Sequence, residues 1–353
     1  MVVIIVGFYN GNECDNADDR NYRRKSVCGR ESKMKILMLD TVTFGEDISL
    51  EKFKDFGEVV TYSNSTHEEA VARVREHKPD VIITNKVVID KDVFEAGADI
   101  KMVAEAATGY NNIDTGYAKE HGIRVSNVAG YSTQSVIQHT FALLFYVYEK
   151  MRAYDDYVKS GEYAKSVCFT HLTPVFNELS GKTWGIVGLG NIGRGVAKIA
   201  QDFGCKVLYY SASGHRQDVP YECVTLDELL NKSDIISIHA PLNDKTKNLF
   251  NYENICKMKR EAVLLNLGRG PVVNDADLAR ALKENIIAAA ALDVVETEPI
   301  AKDNPLLGIT DSNKLIITPH IAWATYEART RLMDIVYENI RSFVNGEAKN
   351  VVV

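Results

Sequence analysis

The sequence predicts an α/β fold in two domains, and three observations carry that prediction. From Met34 onward, short apolar runs alternate with amphipathic stretches, as parallel sheets with crossover helices require. The alternation comes in two series, separated by one long and mostly apolar stretch, Thr133–Met151. With 353 residues the chain also has the length for two domains of ordinary size.

The first series opens with a strand at Lys35–Asp40. Val81–Thr84, Met102–Ala107 and Arg124–Asn127 read as further strands, with helices at Glu68–Glu76 and Asp114–His121. Thr133–Met151 is too long for a strand and apolar on most sides, which predicts a buried helix placed to join the two domains. The second series predicts strands at Thr183–Val187, Lys206–Tyr210, Ile235–His239, Ala262–Asn266, Ala288–Val294 and Leu315–Thr318. Its helices fall at Ile192–Phe203, Leu226–Asn231 and Asp275–Lys283, and a last helix, Thr325–Asn345, follows Pro319. The simplest division makes 134–318 one continuous domain. The other is assembled from 34–133 and 319–353, and a ligand is expected in the cleft between them.

Composition narrows the function classes. Apolar residues make up 46% and charged residues 25%, the balance of an ordinary globular protein. A net charge of −7 supplies no basic face for sequence-blind nucleic-acid binding. No apolar run approaches the roughly 20 residues of a membrane span. Cys14, Cys28, Cys168, Cys205, Cys223 and Cys256 are scattered without metal-ligand spacing, which reads as free thiols in a reducing cytoplasm and no metal site. Residues 1–33 stand apart: Met1–Tyr9 lacks the basic flank of a signal peptide, and 10–33 is polar. They read as a disordered tail or as a non-native extension from an upstream start codon, and both readings stay open.

The chemistry begins at Gly188-Leu-Gly190-Asn-Ile-Gly193. Alone this spacing is a weak signal. Here it ends an apolar strand and opens a helix with Ile192, Val196, Ile199 and Ala200 on one side, which makes it a dinucleotide fingerprint and the domain a Rossmann-type doubly wound sheet. Gly188 suits the tight turn, Gly190 the approach of the pyrophosphate, and Gly193 the packing of helix on strand. The amides of Asn191 and Ile192 would face phosphate at the helix N-terminus. The next strand should end in an acid for the adenosine ribose, but Ser211 stands there, followed by Ser213, His215 and Arg216. With no carboxylate to repel a 2′-phosphate, NADP(H) is open alongside NAD(H).

The segment Glu178-Leu-Ser-Gly-Lys-Thr-Trp-Gly-Ile-Val-Gly-Leu-Gly-Asn-Ile-Gly193 resembles the D-isomer-specific 2-hydroxyacid dehydrogenase family. Asn266-Leu-Gly-Arg-Gly270, Ala291-Leu-Asp-Val-Val-Glu-Thr-Glu-Pro299 and Thr318-Pro-His-Ile-Ala-Trp323 match it in order. The resemblance runs from Met34 to the C-terminus and implies that the second domain is a smaller, discontinuous, flavodoxin-like α/β unit. By motif position it implies that Arg269 binds the substrate carboxylate and carbonyl, as a two-donor guanidinium can. It makes His320 the acid and base, and Glu298 the partner that orients the ring and stabilises the imidazolium. Asp293 resembles the residue that holds the nicotinamide carboxamide. Thr108 and Gly109 match the loop whose amides receive the substrate carboxylate, with Thr108 also beside the cofactor. Ala240-Pro241 and Leu267-Gly268 match backbone segments that touch the cofactor. Trp323 would wall the pocket next to it, and Lys86 matches a position near the cleft.

Other histidines read as structural: His139 as a satisfied core residue, and His67, His77, His121 and His171 without any partner pattern. Within the family, Val128-Ala-Gly-Tyr-Ser-Thr133 and His320-Ile-Ala-Trp-Ala-Thr325 look most like glycerate dehydrogenases, also called hydroxypyruvate reductases. Hydroxypyruvate to D-glycerate, or glyoxylate to glycolate, is therefore the expected reaction. A dehydrogenase of D-lactate or of branched D-2-hydroxy acids is the alternative, and a nucleotide-sensing corepressor-like binding protein a more distant one. The resemblance also implies a homodimer, with Thr133–Met151 as the expected interface helix, and a small-molecule substrate as partner.

Overall fold

Two parallel sheets stand where the two series of apolar runs predict them. The computed structural model describes residues 34–353, so the tail reading of 1–33, with Cys14 and Cys28, lies outside the described residues. Met34–Val353 forms one compact unit.

The five-stranded sheet has the order β2-β1-β3-β4-β5, with β1 Met34–Met38, β2 Gly57–Thr61, β3 Val81–Thr84, β4 Met102–Glu105 and β5 Arg124–Ser126. That is the flavodoxin-like order. The seven-stranded sheet comprises β6 Thr183–Val187, β7 Lys206–Tyr210, β8 Glu222–Cys223, β9 Ile235–Ile238, β10 Val263–Asn266, β11 Ala289–Leu292 and β12 Leu315–Ile317. Its order, β12-β11-β10-β9-β6-β7-β8, reverses direction between β6 and β9. This is the doubly wound Rossmann arrangement, with its ligand crevice at the reversal. Every described strand pairing in both sheets is parallel.

The helices are α1 His67–His77, α2 Lys91–Ala96, α3 Thr115–Glu120, α4 Thr133–Tyr148, α5 Met151–Lys159, α6 Asn191–Asp202, α7 Leu226–Lys232, α8 Tyr252–Ile255, α9 Asp275–Lys283 and α10 Tyr326–Val344. Because the sheets are buried on both faces, their strands read as apolar runs rather than alternations. Ile36, Met38 and Ile83 pack with Leu332, Met333 and Val336 of α10, which returns the C-terminal segment to the five-stranded sheet. Ile186, Val207 and Leu265 pack with Val136 and Leu144 of α4 and Val196 and Ala200 of α6. Among the described residues no helix is long and apolar enough to cross a membrane.

One expectation changes. The helix predicted over Thr133–Met151 breaks at Lys150, which takes a left-handed backbone (φ 57°), and a separate helix, α5, starts at Met151. The apolar side of α4 is buried against its own sheet, leaving Gln134, Gln138 and Ala142 exposed. The most exposed large apolar side chains among the described residues lie further on, at Val167 (106% exposed), Phe169 (88%), Leu172 (75%) and Val175 (76%).

Candidate active site

The turn shows why Gly188 and Gly193 are glycine. Gly188 lies at φ +89°, where an L side chain is strained, and a Cβ there would sit 2.7 Å from the amide nitrogen of Ala240. A Cβ at Gly193 would sit 2.3 Å from the carbonyl oxygen of Gly188. Gly190 differs: a Cβ would meet nothing within 4 Å, so no protein atom demands glycine there. Its bare face opens at the N-terminus of α6, where the first amides have no partner within the helix. The donor set and the open cradle fit a pyrophosphate. Gly268 closes in from β10, its would-be Cβ 3.0 Å from Ala240 O, so Ala240-Pro241 and Leu267-Gly268 meet the turn where the sheet reverses.

Past β7, Ser211 and Ser213 are joined through their hydroxyls (3.1 Å). Arg194, His215, Arg216, Gln217 and Asp218 line a shallow second pocket there. Arg194, which no sequence motif points to, is held on Gln217 Oε1 (3.0 Å) and Asn191 Oδ1 (2.5 Å). A cation in the first turn after the glycine motif is a signal that could have found it. Ser211 and Arg216 thus lie at this end of the sheet, apart from the cleft that holds the reacting groups.

That cleft, ≈ 420 Å³, is lined from both sheets. Arg269 follows β10 in extended conformation with an exposed side chain, its Nη1 on Gly268 O (2.9 Å). Its Nη2 reaches the opposite wall, 3.3 Å from where a Cβ of Gly109 would be. His320 follows β12 in a left-handed backbone (φ 55°), and its Nδ1 lies 2.7 Å from Glu298 Oε2. An ionised carboxylate can only accept, so Nδ1 carries the hydrogen and Nε2 is left to the cleft. Burial opposes ionisation of Glu298, but the His320 hydrogen bond and charge, helped by the Val295 amide and Lys86, outweigh it. Glu298 is held below the ordinary carboxylate range.

Asp293, just past β11, is buried and organises the histidine loop. Its carboxylate accepts from Thr318 Oγ1 (2.6 Å), Ile321 N (2.9 Å) and Ala322 N (2.8 Å). It also lines the cleft, as Thr108, Gly109, Ile192, Leu267, Lys86 and Trp323 do. Thr108 is anchored by its hydroxyl to Val128 O (2.8 Å). Trp323 stands edge-on to Tyr131, centroids 6.3 Å apart, and burial pushes the Tyr131 hydroxyl up from its ordinary value.

Asn85, Asn111, Asn112, Tyr131 and Ser132 also line the cleft, and sequence reasoning did not single them out. Two of them, Asn111 and Asn112, follow closely on the Thr108-Gly109 loop, and that proximity was the available signal. His139 donates toward Thr318 Oγ1 (3.1 Å), as its core reading expects. The four histidines without a partner pattern in the sequence do have partners: His67 pairs with Asp90 (2.9 Å), His77 with Tyr62 (2.7 Å), and His121 and His171 stack on Tyr117 and Tyr157. Tertiary contacts supply these partners.

A glycine turn at the sheet reversal, and a paired histidine and an exposed guanidinium in one cleft, fit a nicotinamide-dependent dehydrogenase, and known proteins agree. Residues 141–322 match the family model described as "D-isomer specific 2-hydroxyacid dehydrogenase, NAD binding domain". This chain belongs to the D-isomer-specific 2-hydroxyacid dehydrogenase family. It is 41% identical to a hydroxypyruvate reductase of Blautia hydrogenotrophica over 90% of its own length and 99% of that protein. It is 36% identical to a glycerate dehydrogenase of Methylorubrum extorquens, over 90% and 98%. In structure it is similar to an NADPH-dependent glyoxylate/hydroxypyruvate reductase of Sinorhizobium meliloti solved with NADP and malonate. That match has a TM-score of 0.77 and 26% identity, and covers 91% of this protein and 97% of that one. The protein is accordingly an oxidoreductase that uses NAD(H) or NADP(H).

Proposed function

We propose that the protein reduces hydroxypyruvate to D-glycerate, and glyoxylate to glycolate, in the cytoplasm. The observation that carries this reading is the meeting of Arg269 with the Gly109 loop across the cleft that also holds the His320–Glu298 pair. The glycine turn, Ala240-Pro241, Leu267-Gly268 and Thr108 would hold the dinucleotide, with Asp293 toward its nicotinamide end. When bound in reduced form, that cofactor supplies the hydride for C2 of the substrate. Arg269 clamps the carboxylate against the Thr108-Gly109 backbone and polarises the keto oxygen. His320, as imidazolium, gives the Nε2 proton to that oxygen, and Glu298 stabilises the charged ring until it does. In oxidation the same nitrogen takes the hydroxyl proton. Asn85, Asn111 and Ser132 offer polar contacts to a hydroxymethyl group, while Trp323 and Tyr131 limit the length of the substituent.

Initial rates over hydroxypyruvate, glyoxylate, pyruvate and a branched 2-keto acid, each with NADH and NADPH, test the assignment. Hydroxypyruvate should give the highest kcat/KM. Ser211, with Arg194 and Arg216 nearby, should admit NADPH at a rate within roughly ten-fold of NADH, because no carboxylate repels its 2′-phosphate. Faster turnover of pyruvate than of hydroxypyruvate would make the enzyme a D-lactate dehydrogenase instead.

The assembly we propose is a homodimer seated on the exposed apolar segment Val167–Phe176 rather than on α4. Such a patch on one surface marks an interface. Sedimentation should find a dimer at micromolar concentration, and Phe169→Asp with Val175→Asp should weaken it by roughly ten-fold or more. A doubly substituted protein that sediments like the parent would place the interface elsewhere. The cytoplasmic reading is supported by the free state of Cys168, Cys205, Cys223 and Cys256.

A further inference from the structure

Glu105, the last residue of β4, is fully buried and plays no part in the chemistry above. It ends an otherwise apolar strand, in register with Thr84 of β3. Its Oε2 accepts from Asn112 Nδ2 (3.2 Å), and the same nitrogen donates to Val87 O (3.0 Å). Asn112 O accepts from Ile89 N (2.8 Å), and Asp114 N donates to Ile89 O (2.9 Å). Close by, just past β1, the carboxylate of Asp40 gathers the amides of Asn85 (3.0 Å), Lys86 (2.6 Å) and Val87 (3.3 Å). The two loops on the substrate side of the cleft, Asn85–Val87 and Gly109–Asn112, are therefore fastened together over two buried carboxyl groups.

The two acids are not equivalent. Asp40 has the amide donors that an ionised carboxylate needs, whereas Glu105 Oε1 has no partner among the described residues. A neutral acid tolerates that position far better than an unpaired charge. We infer that Glu105 is a positioning residue: through Asn112 it latches the Gly109–Asn112 loop onto the Asn85–Val87 turn, and so sets the affinity of the cleft for the carboxylate of a 2-keto acid.

The inference rests on reading the cleft as the keto-acid site. The charged and titratable groups that face Glu105 are Asp40 from the end of β1, Lys86 after β3 and Tyr131 ahead of α4. Burial pushes the Glu105 carboxyl up to about 9. The Asn112 hydrogen bond pulls the other way, Asp40 adds to the rise and Lys86 opposes it. At neutral pH the latch is therefore uncharged beneath a loop that receives an anion. As pH rises through about 9, an unpaired anion forms there and substrate affinity falls. Stability has the same sign. The folded protein keeps a proton that the unfolded one releases above 4.5, so Glu105 lowers stability progressively as pH climbs from there to about 9.

The test follows KM and kcat for hydroxypyruvate, KM for the reduced cofactor, and Tm, for the full-length protein from about pH 6 to pH 10. Glu105→Gln keeps an acceptor for Asn112 but cannot ionise. It should retain the neutral-pH KM, lose the alkaline rise in KM, and show a Tm that falls less with pH than the parent's. Asn112→Ala, which leaves the acid in place, should raise the keto-acid KM about ten-fold with little change in kcat or in cofactor KM. Should Glu105→Gln fail to fold, Asn112→Ala decides alone. An unchanged KM in Asn112→Ala overturns the latch, as does an alkaline limb and a pH dependence of Tm in Glu105→Gln identical to the parent's. A parent enzyme that reduces no 2-keto acid overturns the functional reading instead, and the Tm comparison still reports on Glu105.

Discussion

His320→Asn should lower kcat for keto-acid reduction by roughly 10²–10⁴-fold, the range a positioned acid–base group contributes. Binding of the reduced cofactor, measured by fluorescence titration, should be nearly unchanged, because the glycine turn that would hold it lies on other loops. Asparagine is a cleaner replacement than alanine here. His320 sits in the left-handed region at φ 55°, which asparagine tolerates and alanine enters at a cost of about 1 kcal/mol. A loss of activity in the alanine variant would mix removal of the imidazole with movement of the loop that Asp293 secures. Glu298→Gln separates the two services proposed for Glu298, orienting the ring and stabilising its charged form. The amide can still orient it, but the charge that stabilises the imidazolium is gone, so turnover should fall while the substrate KM moves little. Because His320 and its neighbours hold Glu298 below the ordinary carboxylate range, the pair stays intact as pH drops through the usual carboxylate values and is lost only below them. Loss of cofactor binding in His320→Asn, with turnover at saturating cofactor preserved, would remove His320 from the proton transfer.

The frame of the molecule was legible because both sheets are parallel and buried on two faces. β3, β6 and β7 are apolar runs whose bounds the sequence locates to the residue. β2 escaped because it is an edge strand, half exposed along most of its length, so no clean apolar run announces it. The end of α4 carries neither glycine nor proline. Its stop at Glu149-Lys150 is a tertiary decision, with Lys150 Nζ on Asn313 O across the fold (3.1 Å). Arg269, Glu298 and His320 could be picked out because each follows a strand end in a recognisable segment. Asn85 and Tyr131 could not, since a loop asparagine looks like turn chemistry and a tyrosine like core until folding brings them to the cleft. Glu105 was hidden inside a strand, where one acid among apolar neighbours gives no hint that its carboxyl lies under the substrate loop.

Arg269→Ala should cost the second large loss, roughly 10²–10⁴-fold in kcat/KM, with both terms affected. In the role proposed for it the side chain would bind the carboxylate in the ground state and polarise the keto oxygen as charge develops on it, so KM should rise and kcat fall. Folding should be indifferent to the change. The guanidinium is exposed, its one hydrogen bond is to the carbonyl of the residue before it, and surface replacements of this kind shift stability by about 0.5 kcal/mol or less. Tm should therefore stay level while activity collapses, which a merely structural arginine would not do. Arg269→Lys refines the point. Lysine restores the charge but not the planar pair of donors, so it should recover part of the lost affinity and little of the rate. Gly109→Ala approaches the same contact from the other wall. Its Cβ would stand 3.3 Å from Nη2, tight enough to displace the guanidinium by a few tenths of an ångström, and the variant should resemble a mild Arg269 lesion, raising KM more than it lowers kcat. The two sites report on one contact, so their effects should be less than additive when combined. Full additivity would mean that Arg269 and the Gly109 loop hold different parts of the substrate, and unchanged kinetics in Arg269→Ala would take the guanidinium out of the site altogether.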